Sequence, residues 1–453
     1  MKEITIIGAG LTGLLLSILL GKRGYAVKVY EKNEEPKNNF IKYGKSINLT
    51  LCKRGINALQ AAGLIDKLKK IWVPAYGRCL HLPGSQIEIQ PYGNHNEALY
   101  SISRRELHSL LLSEARETSG VSVLFGLKCI AYDLSRQVVN LIDKRQQKIE
   151  KNFKVLIGAD GIYSVIRGQM QRNFGFNYSQ FYSVHANKEL TLPTENAKKY
   201  QLKPNHLHIW PRGEFMIIAF PNLDGSFTCT LQLPLDDNSV SFKKINSKSD
   251  MLYHFQKLFP DAMSLIPRLT EEFFDNPEIP MMTVRCSPWH LEDKILLIGD
   301  AAHAIWPSYG QGANAGFEDC DELIKSMEQH PDNLLAAFTN FQVERKSNVD
   351  TIATLSENHF NEIRHLVASK EFLLRKRVER KMNMLFPSEY FSLYARIAFT
   401  TIPYKHAVER ELYYSKMIDE LLQSKEILLN LDSKESERLI YKTYKKYSAA
   451  YLT

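Results

Sequence analysis

The chain opens with a short apolar run, EITII over residues 3–7, that suits a buried parallel strand. Apolar residues then recur as far as Leu20, predicting a helix, and a second strand is expected to end at Glu31. Between the first strand and the helix stand Gly8, Gly10 and Gly13. The same sequence of apolar run, glycine-bearing turn and helix returns twice. FKVLIGADGIYSVIR, residues 153–167, predicts a strand ending at Asp160-Gly161 and then a helix. ILLIGDAAHAIWPSYGQGANAGFEDC, residues 295–320, predicts a strand, a break at Gly299-Asp300, and a helix from about Ala315.

The intervening segments follow other patterns. SINLTL reads as a strand, and the helix after it carries Ile56, Leu59 and Leu64. Residues 76–103 alternate apolar and polar stretches with turns at Pro83-Gly84 and Gly93-Asn94, so antiparallel strands are expected. Ser103 and Glu106 form a capping-box signal for the next helix. Short strands are predicted near residues 121–125, 128–134 and 137–141. Residues 176–289 are rich in Phe, Ile, Thr and His, and predict a second antiparallel sheet with one helix around residues 251–259. Phe215, Met216, Ile218, Phe220 and Phe227 are candidates there for lining a pocket, against the simpler expectation of an ordinary sheet core. Residues 333–453 read as mostly helical. The basic cluster Arg375, Lys376, Arg377, Arg380 and Lys381 interleaves with Glu371 and Glu379, which predicts a solvated helix face. The fold class is therefore α/β + α. It combines a Rossmann-like domain with a mixed parallel sheet, an antiparallel-sheet domain and a C-terminal helical region.

Composition narrows the classes of function. The 453 residues, 44% hydrophobic and 24% charged, suit a soluble protein of two or three domains. The net charge of +8 comes from dispersed Lys and Arg without a zinc or RNP-type motif, so nucleic acid is not an expected partner and anionic small ligands are favoured. Six scattered cysteines without a CxxC motif read as reduced thiols in a cytosol, with neither disulfides nor a metal site. The apolar residues 4–20 are interrupted by glycines and lead to no small-residue cleavage site, against a secretion signal. No segment offers the roughly 20 apolar residues that span a bilayer. A cytoplasmic protein without a transmembrane span is expected.

The glycine loops carry the chemistry. In a GxGxxG turn the first glycine permits the tight turn, the second lets backbone approach a pyrophosphate, and the third packs helix against strand. Glu31, about 20 residues on, is placed to hold a ribose diol without a 2′-phosphate, which favours FAD or NAD over NADP. Two further loops at strand ends favour the longer cofactor, FAD. Asp300 can accept hydrogen bonds from cofactor hydroxyls. Arg104, an unfavourable charge at a helix start, is explained if it meets a phosphate.

Together these motifs resemble the single-component flavin-dependent aromatic hydroxylases, the group that includes the hydroxybenzoate hydroxylases. The matching residues are Gly8, Gly10 and Gly13, then Gly158, Asp160, Gly161, Ser164 and Arg167, then the GDAAHxxxPxxGQGxNxGxED pattern from Gly299 to Asp319. SISRREL at 101–107, HLHIWPR at 206–212 and FTCTL at 227–231 resemble the kynurenine-hydroxylating branch in particular. The resemblance implies tightly bound FAD, NADPH as cosubstrate, O₂, and hydroxylation of L-kynurenine to 3-hydroxykynurenine through a C4a-hydroperoxyflavin. The alternative is another aromatic acid or anthranilate-like substrate. It implies cofactor contacts at Gly8, Gly10, Leu11, Gly13, Glu31, Arg104, Asp160, Gly161, Asp300, Pro307, Gln311, Gly312, Ala313 and Asn314. Substrate contacts are implied at Arg78, Tyr92, Tyr404, His359 and Phe227. His359 and Ile363 stand where the family has asparagine and methionine, so either the contact to the substrate amine is altered or Asn358 substitutes through a shifted helix. No side chain acts as nucleophile, no metal is implied, and a homodimer is possible. NADPH is expected to bind only transiently near the DG segment. His303, a tempting acid or base, is expected to pack within the cofactor loop. The implied domains are 1–75, 98–175 and 290–350 for FAD, 76–97 and 176–289 for substrate, and 351–453 as the helical region.

Overall fold

The computed structural model describes residues 2–36, 48–84, 86–93, 97–236, 240–365 and 369–451, without the side chains of residues 361–365 and 449–451. Ser46 and Ile47 of the predicted strand, Asn94 of the predicted turn and the Ile363 side chain lie outside that description.

A six-stranded sheet runs in the order His290–Leu291, Ile295–Leu297, Leu156–Gly158, Glu3–Ile7, Ala26–Tyr30, Val121–Leu124. All its pairs are parallel except the first. The three strands that precede the glycine loops are therefore adjacent and point the same way, so all three loops leave the sheet at one edge. That edge is where open α/β sheets bind nucleotides. Helix Leu11–Gly21 packs behind it with Leu14, Leu15, Leu16, Ile18, Leu19 and Leu20 all buried. Each such side chain contributes about 1.5–3 kcal/mol of burial. An apolar helix without a polar face fits here because the sheet covers one side and helices Arg104–Glu117 and Gly312–Gln329 cover the others.

The first loop depends on its glycines. Gly8 has φ +105°, and a Cβ there would lie 2.4 Å from the Ala159 carbonyl oxygen. A Cβ at Gly13 would lie 2.0 Å from the Gly8 carbonyl oxygen. Above Gly10 a Cβ would meet nothing within 4 Å. Two glycines thus seal loop against protein, and the third faces open space.

A seven-stranded sheet runs Ile279–Ser287, Asn177–Leu192, Phe227–Pro234, Phe215–Pro221, His206–Arg212, Gly77–His81, Ile87–Pro91. It is antiparallel apart from the parallel pair His206–Arg212 with Gly77–His81. The expected single helix in this region is corrected to four segments, Thr194–Lys199, Lys248–Leu258, Pro260–Met263 and Leu269–Asp275. Three are too short for helical periodicity to stand out in sequence, and Pro260 divides the second from the third. Phe227 is a further correction. It is fully buried in the core under this sheet, edge-on to His208, and does not face the cavity described below.

Beyond the third loop the helices Leu334–His365, Lys370–Leu385, Leu393–Phe399, Tyr404–Leu422, Lys425–Leu429 and Lys434–Tyr451 follow. Several of them share a core that includes Met382, Phe386, Tyr390, Met417 and Ile440. No helix among the described residues is long and apolar enough to cross a membrane. The solvated face predicted for the basic cluster is corrected in part: Arg375 and Lys376 are about a quarter exposed and pair with Glu379, and Arg375 also pairs with Asp419 on a neighbouring helix.

Candidate active site

The crevice at the sheet edge is assembled from the three loops. Glu31, just beyond its strand, accepts the Ala9 N–H at 2.9 Å on one oxygen and the Asn33 N–H at 2.9 Å on the other. Asp160 accepts the Val165 N–H at 2.7 Å through Oδ2, while its buried Oδ1 has no partner. Arg167 donates to the Ala301 carbonyl at 2.9 Å and to the Ile162 carbonyl at 2.6 Å, clamping the second loop to the third. Gly161 has φ +79° and open space above it.

Asp300 is accessible to solvent yet enclosed by protein atoms, as befits a side chain lining a crevice. The enclosure raises its carboxyl above the usual range, with His303 and Arg104 opposing that rise. Arg104 itself is exposed at the first position of its helix, which Ser103 caps by accepting the Glu106 N–H.

The third loop is held by buried charges. Asp319 accepts the Gly299 N–H at 3.1 Å and His303 Nε2 at 2.5 Å on one oxygen, and Arg345 Nε at 2.8 Å on the other. Burial disfavours its charge, but His303 and Arg345 outweigh that and hold its carboxyl below the usual range. Glu318 joins Arg54 at 2.6 Å and Arg345 at 2.5 Å. His303 is buried against Trp289 and engaged by Asp319, outside the cavity below.

Gln311 and Asn314 turn their side chains inward. Asn314 accepts the Cys52 N–H at 3.0 Å and donates to the Thr50 and Gly310 carbonyls, each at 2.8 Å. Gly312 and Ala313 are half-exposed at the start of helix Gly312–Gln329, and Pro307 is exposed. Neither this helix nor Leu11–Gly21 has a side-chain cap or an acidic first turn, so both leave backbone N–H groups free for an anion. The bare surface over Gly10, the unpartnered Asp160 oxygen, the accessible Asp300 carboxylate and these two helix starts fit a dinucleotide.

A cavity of about 480 Å³ includes Tyr309 of the third loop in its wall. Arg78, Tyr92, Asn358, His359 and Tyr394 also line it. Tyr92 stacks on Tyr394 at 5.2 Å, Tyr394 on Tyr309 at 5.3 Å, and His359 lies 4.6 Å from Tyr309. Arg78 Nε donates to Gln90 at 2.9 Å, and Gln90 donates to Glu88 at 3.1 Å. This relay orients the guanidinium and, among the described residues, leaves its outer nitrogens without a hydrogen-bond partner. Burial pushes the Tyr92 phenol up to about 12 and raises that of Tyr394.

Tyr404, expected as a third contact, is corrected. It is fully buried, donates to Gln311 at 2.9 Å, lies under the Arg54 guanidinium at 3.9 Å, and does not line the cavity. Tyr394, ten residues earlier, is the tyrosine that reaches it. Two tyrosines in one helical hairpin look alike in sequence, and only the packing of helix Leu393–Phe399 separates them.

The sheet order and the three loops define a dinucleotide-binding flavoprotein, and residues 1–331 match the family model described as FAD binding domain. The chain is 39% identical to a kynurenine 3-monooxygenase of Christiangramia forsetii over 98% of this chain and 99% of that one. It is 40% identical to the kynurenine 3-monooxygenase of Flavobacterium johnsoniae, over 93% and 94%. Among solved structures it is similar to the tetrameric form of 2-methyl-3-hydroxypyridine-5-carboxylic acid oxygenase, with TM-score 0.65, 20% identity, and coverage of 83% of this chain and 96% of that one. The chain belongs to the kynurenine 3-monooxygenase family, within the FAD-dependent monooxygenases.

Proposed function

We propose that this chain hydroxylates L-kynurenine to 3-hydroxykynurenine, using FAD as cofactor and consuming NADPH and O₂. The observation that carries the reading is the cavity in which Arg78, Tyr92 and Tyr394 stand beside Tyr309 of the third loop. It joins an anchor for a carboxylate to an aromatic slot at the edge of the cofactor crevice.

Reduced by NADPH, bound FAD supplies the activation of O₂ and the delivery of one oxygen atom to the aromatic ring, the other leaving as water. The protein's part is position and dryness. The outer nitrogens of Arg78 fork onto the substrate's carboxylate, which a planar guanidinium pairs with bidentately. Tyr92, with its pKa near 12, stays a neutral phenol at working pH and can donate a hydrogen bond to that carboxylate without repelling it. The stacked rings of Tyr92, Tyr394 and Tyr309 form a wall for the substrate ring and exclude water. His359 occupies the wall where an amide is usual in the family, and we assign it a contact to the amino-acid head. The substrate's own aniline nitrogen makes the neighbouring carbon electron-rich, so no strong protein base is required. In the crevice we assign Glu31 to the adenosine ribose, the loop from Gly8 to Gly13 and Arg104 to the pyrophosphate, and Asp160, Gly161 and Asp300 to the remainder of the cofactor. Pro307 and the residues from Gln311 to Asn314 approach it through backbone. Six cysteines, all buried and free, support a reducing compartment such as the cytoplasm.

The experiment is incubation of purified holoenzyme with L-kynurenine, NADPH and O₂, followed by mass spectrometry. A product heavier by one oxygen and hydroxylated beside the amino group is expected. Turnover of anthranilate or hydroxybenzoate in preference to kynurenine would replace this substrate with another of the same chemistry.

A further inference from the structure

The wall of the same cavity also carries charged side chains. On helix Lys370–Leu385 the residues Arg375, Lys376, Glu379, Arg380 and Asn383 share one face at helical spacing and line it. Glu411 and Ser415, four apart on helix Tyr404–Leu422, also line it. Most charges there are committed to each other. Arg375 pairs with Asp419 and donates to Ser415 at 2.8 Å, Lys376 pairs with Glu379 at 3.0 Å, and Glu411 pairs with the fully buried Arg396 through Oε2.

Arg380 differs. It is half-buried, faces the cavity, and has neither an ion pair nor a hydrogen bond among the described residues. Among the described residues, the only other guanidinium in the wall without a carboxylate is Arg78, whose side-chain partner is the neutral Gln90. One cavity thus carries two uncommitted guanidinium groups, one among the tyrosines and one among the charged helices. A partly desolvated cation without a counter-ion in a concave wall attracts anions strongly. The same wall offers an acceptor for an ammonium group, because Glu411 gives only one oxygen to Arg396.

We propose that Arg380 is a second carboxylate station, which captures the zwitterionic head of the incoming amino acid before it passes to Arg78. The proposal rests on the substrate class assigned above. Arg380 acts on arrival, and Arg78 holds the substrate during reaction.

The test is stopped-flow association of L-kynurenine with oxidised holoenzyme, read by the perturbation of flavin absorbance, in wild type, Arg380→Gln and Arg380→Lys. Arg380→Gln is expected to slow association about ten-fold and to flatten its dependence on ionic strength. Arg380→Lys should restore the salt dependence, and kcat at saturating kynurenine should stay within roughly two-fold of wild type. The decarboxylated amine analogue, a cation, should associate no more slowly with Arg380→Gln than with wild type. Unchanged association and salt dependence in Arg380→Gln would overturn the proposal, as would a fall in kcat matching the fall in association rate. Absence of hydroxylated product from wild type would instead overturn the functional reading. The association comparison still decides Arg380 with any aromatic amino acid that perturbs the flavin spectrum.

Discussion

Replacing Arg78 by alanine probes the proposed carboxylate anchor with little risk to the fold. The side chain is half-exposed, and among the described residues its one hydrogen bond goes to Gln90 and it belongs to no buried ion pair. Truncating one member of a desolvated, hydrogen-bonded charge pair costs about 2–5 kcal/mol in affinity. Because the cavity wall leaves Arg78 partly solvated, the lower part of that range applies, about 2–3 kcal/mol, which weakens kynurenine binding roughly 30- to 150-fold. Gln90→Ala leaves the guanidinium in place without its brace and should cost only about 1 kcal/mol, or roughly five-fold. The assay is equilibrium titration of the oxidised holoenzyme with L-kynurenine, following flavin absorbance, with flavin content checked in each variant. An Arg78→Ala dissociation constant within about three-fold of wild type would refute the assignment. So would equal losses in the two variants, because orientation alone would then explain them.

Three further outcomes follow from the packing. Asp319→Ala leaves the Gly299 N–H and His303 without their carboxylate and takes one of two carboxylates from Arg345, which keeps Glu318, so stability should fall by about 2–3 kcal/mol, read as a lower thermal midpoint together with release of FAD on gel filtration; full flavin retention at an unchanged midpoint would contradict it. Tyr404→Phe removes one buried hydrogen bond to Gln311 and should cost about 1 kcal/mol of stability while leaving kynurenine affinity unchanged. A large loss of affinity in that variant would return Tyr404 to the substrate site. The buried pair His81 and His208, with Nε2 and Nδ1 2.8 Å apart, is held neutral by burial, which lowers His81 from 6.5 to about 4 and His208 to about 3. With folded values below unfolded ones, the unfolded chain takes up protons first as pH falls. Stability is therefore complete above pH 6.5 and declines toward pH 4, by on the order of 3 kcal/mol from His81 alone. The double variant His81→Gln, His208→Gln should show a shallower decline of the thermal midpoint over that window, and an equally steep decline would show that other groups govern it.

The sequence made the cofactor crevice legible because its chemistry is local. A tight turn, a close helix and an open backbone each demand glycine at a fixed offset, and Gly8, Gly10 and Gly13 carry those demands in one short segment. The adjacency of the three loops could be expected from repeated strand-to-glycine patterns, since parallel strands deliver their carboxyl ends to one edge. The substrate cavity was less legible because its wall comes from distant segments. Arg78 stands on a sheet strand, Tyr309 in the third loop, His359 and Tyr394 on two helices. Tyr404 and Tyr394 differ only in the direction their helices give them. Phe227 looked like a pocket residue because an apolar aromatic on a strand carries no mark of which face it takes. The charges of residues 375–381 looked solvated because the carboxylate that meets Arg375 from another helix, Asp419, lies more than forty residues away.

In the proposed function an FAD-dependent oxygenation occurs on the ring of a substrate held by Arg78, Tyr92 and Tyr394. Its most direct measurement is turnover of L-kynurenine under ¹⁸O₂ with NADPH, with the product resolved by mass spectrometry. The expected product is 3-hydroxykynurenine carrying one ¹⁸O atom, formed by wild type and sharply reduced by Arg78→Ala at subsaturating kynurenine. NADPH consumed without labelled hydroxylated product, or label appearing equally in wild type and Arg78→Ala at that concentration, would contradict it.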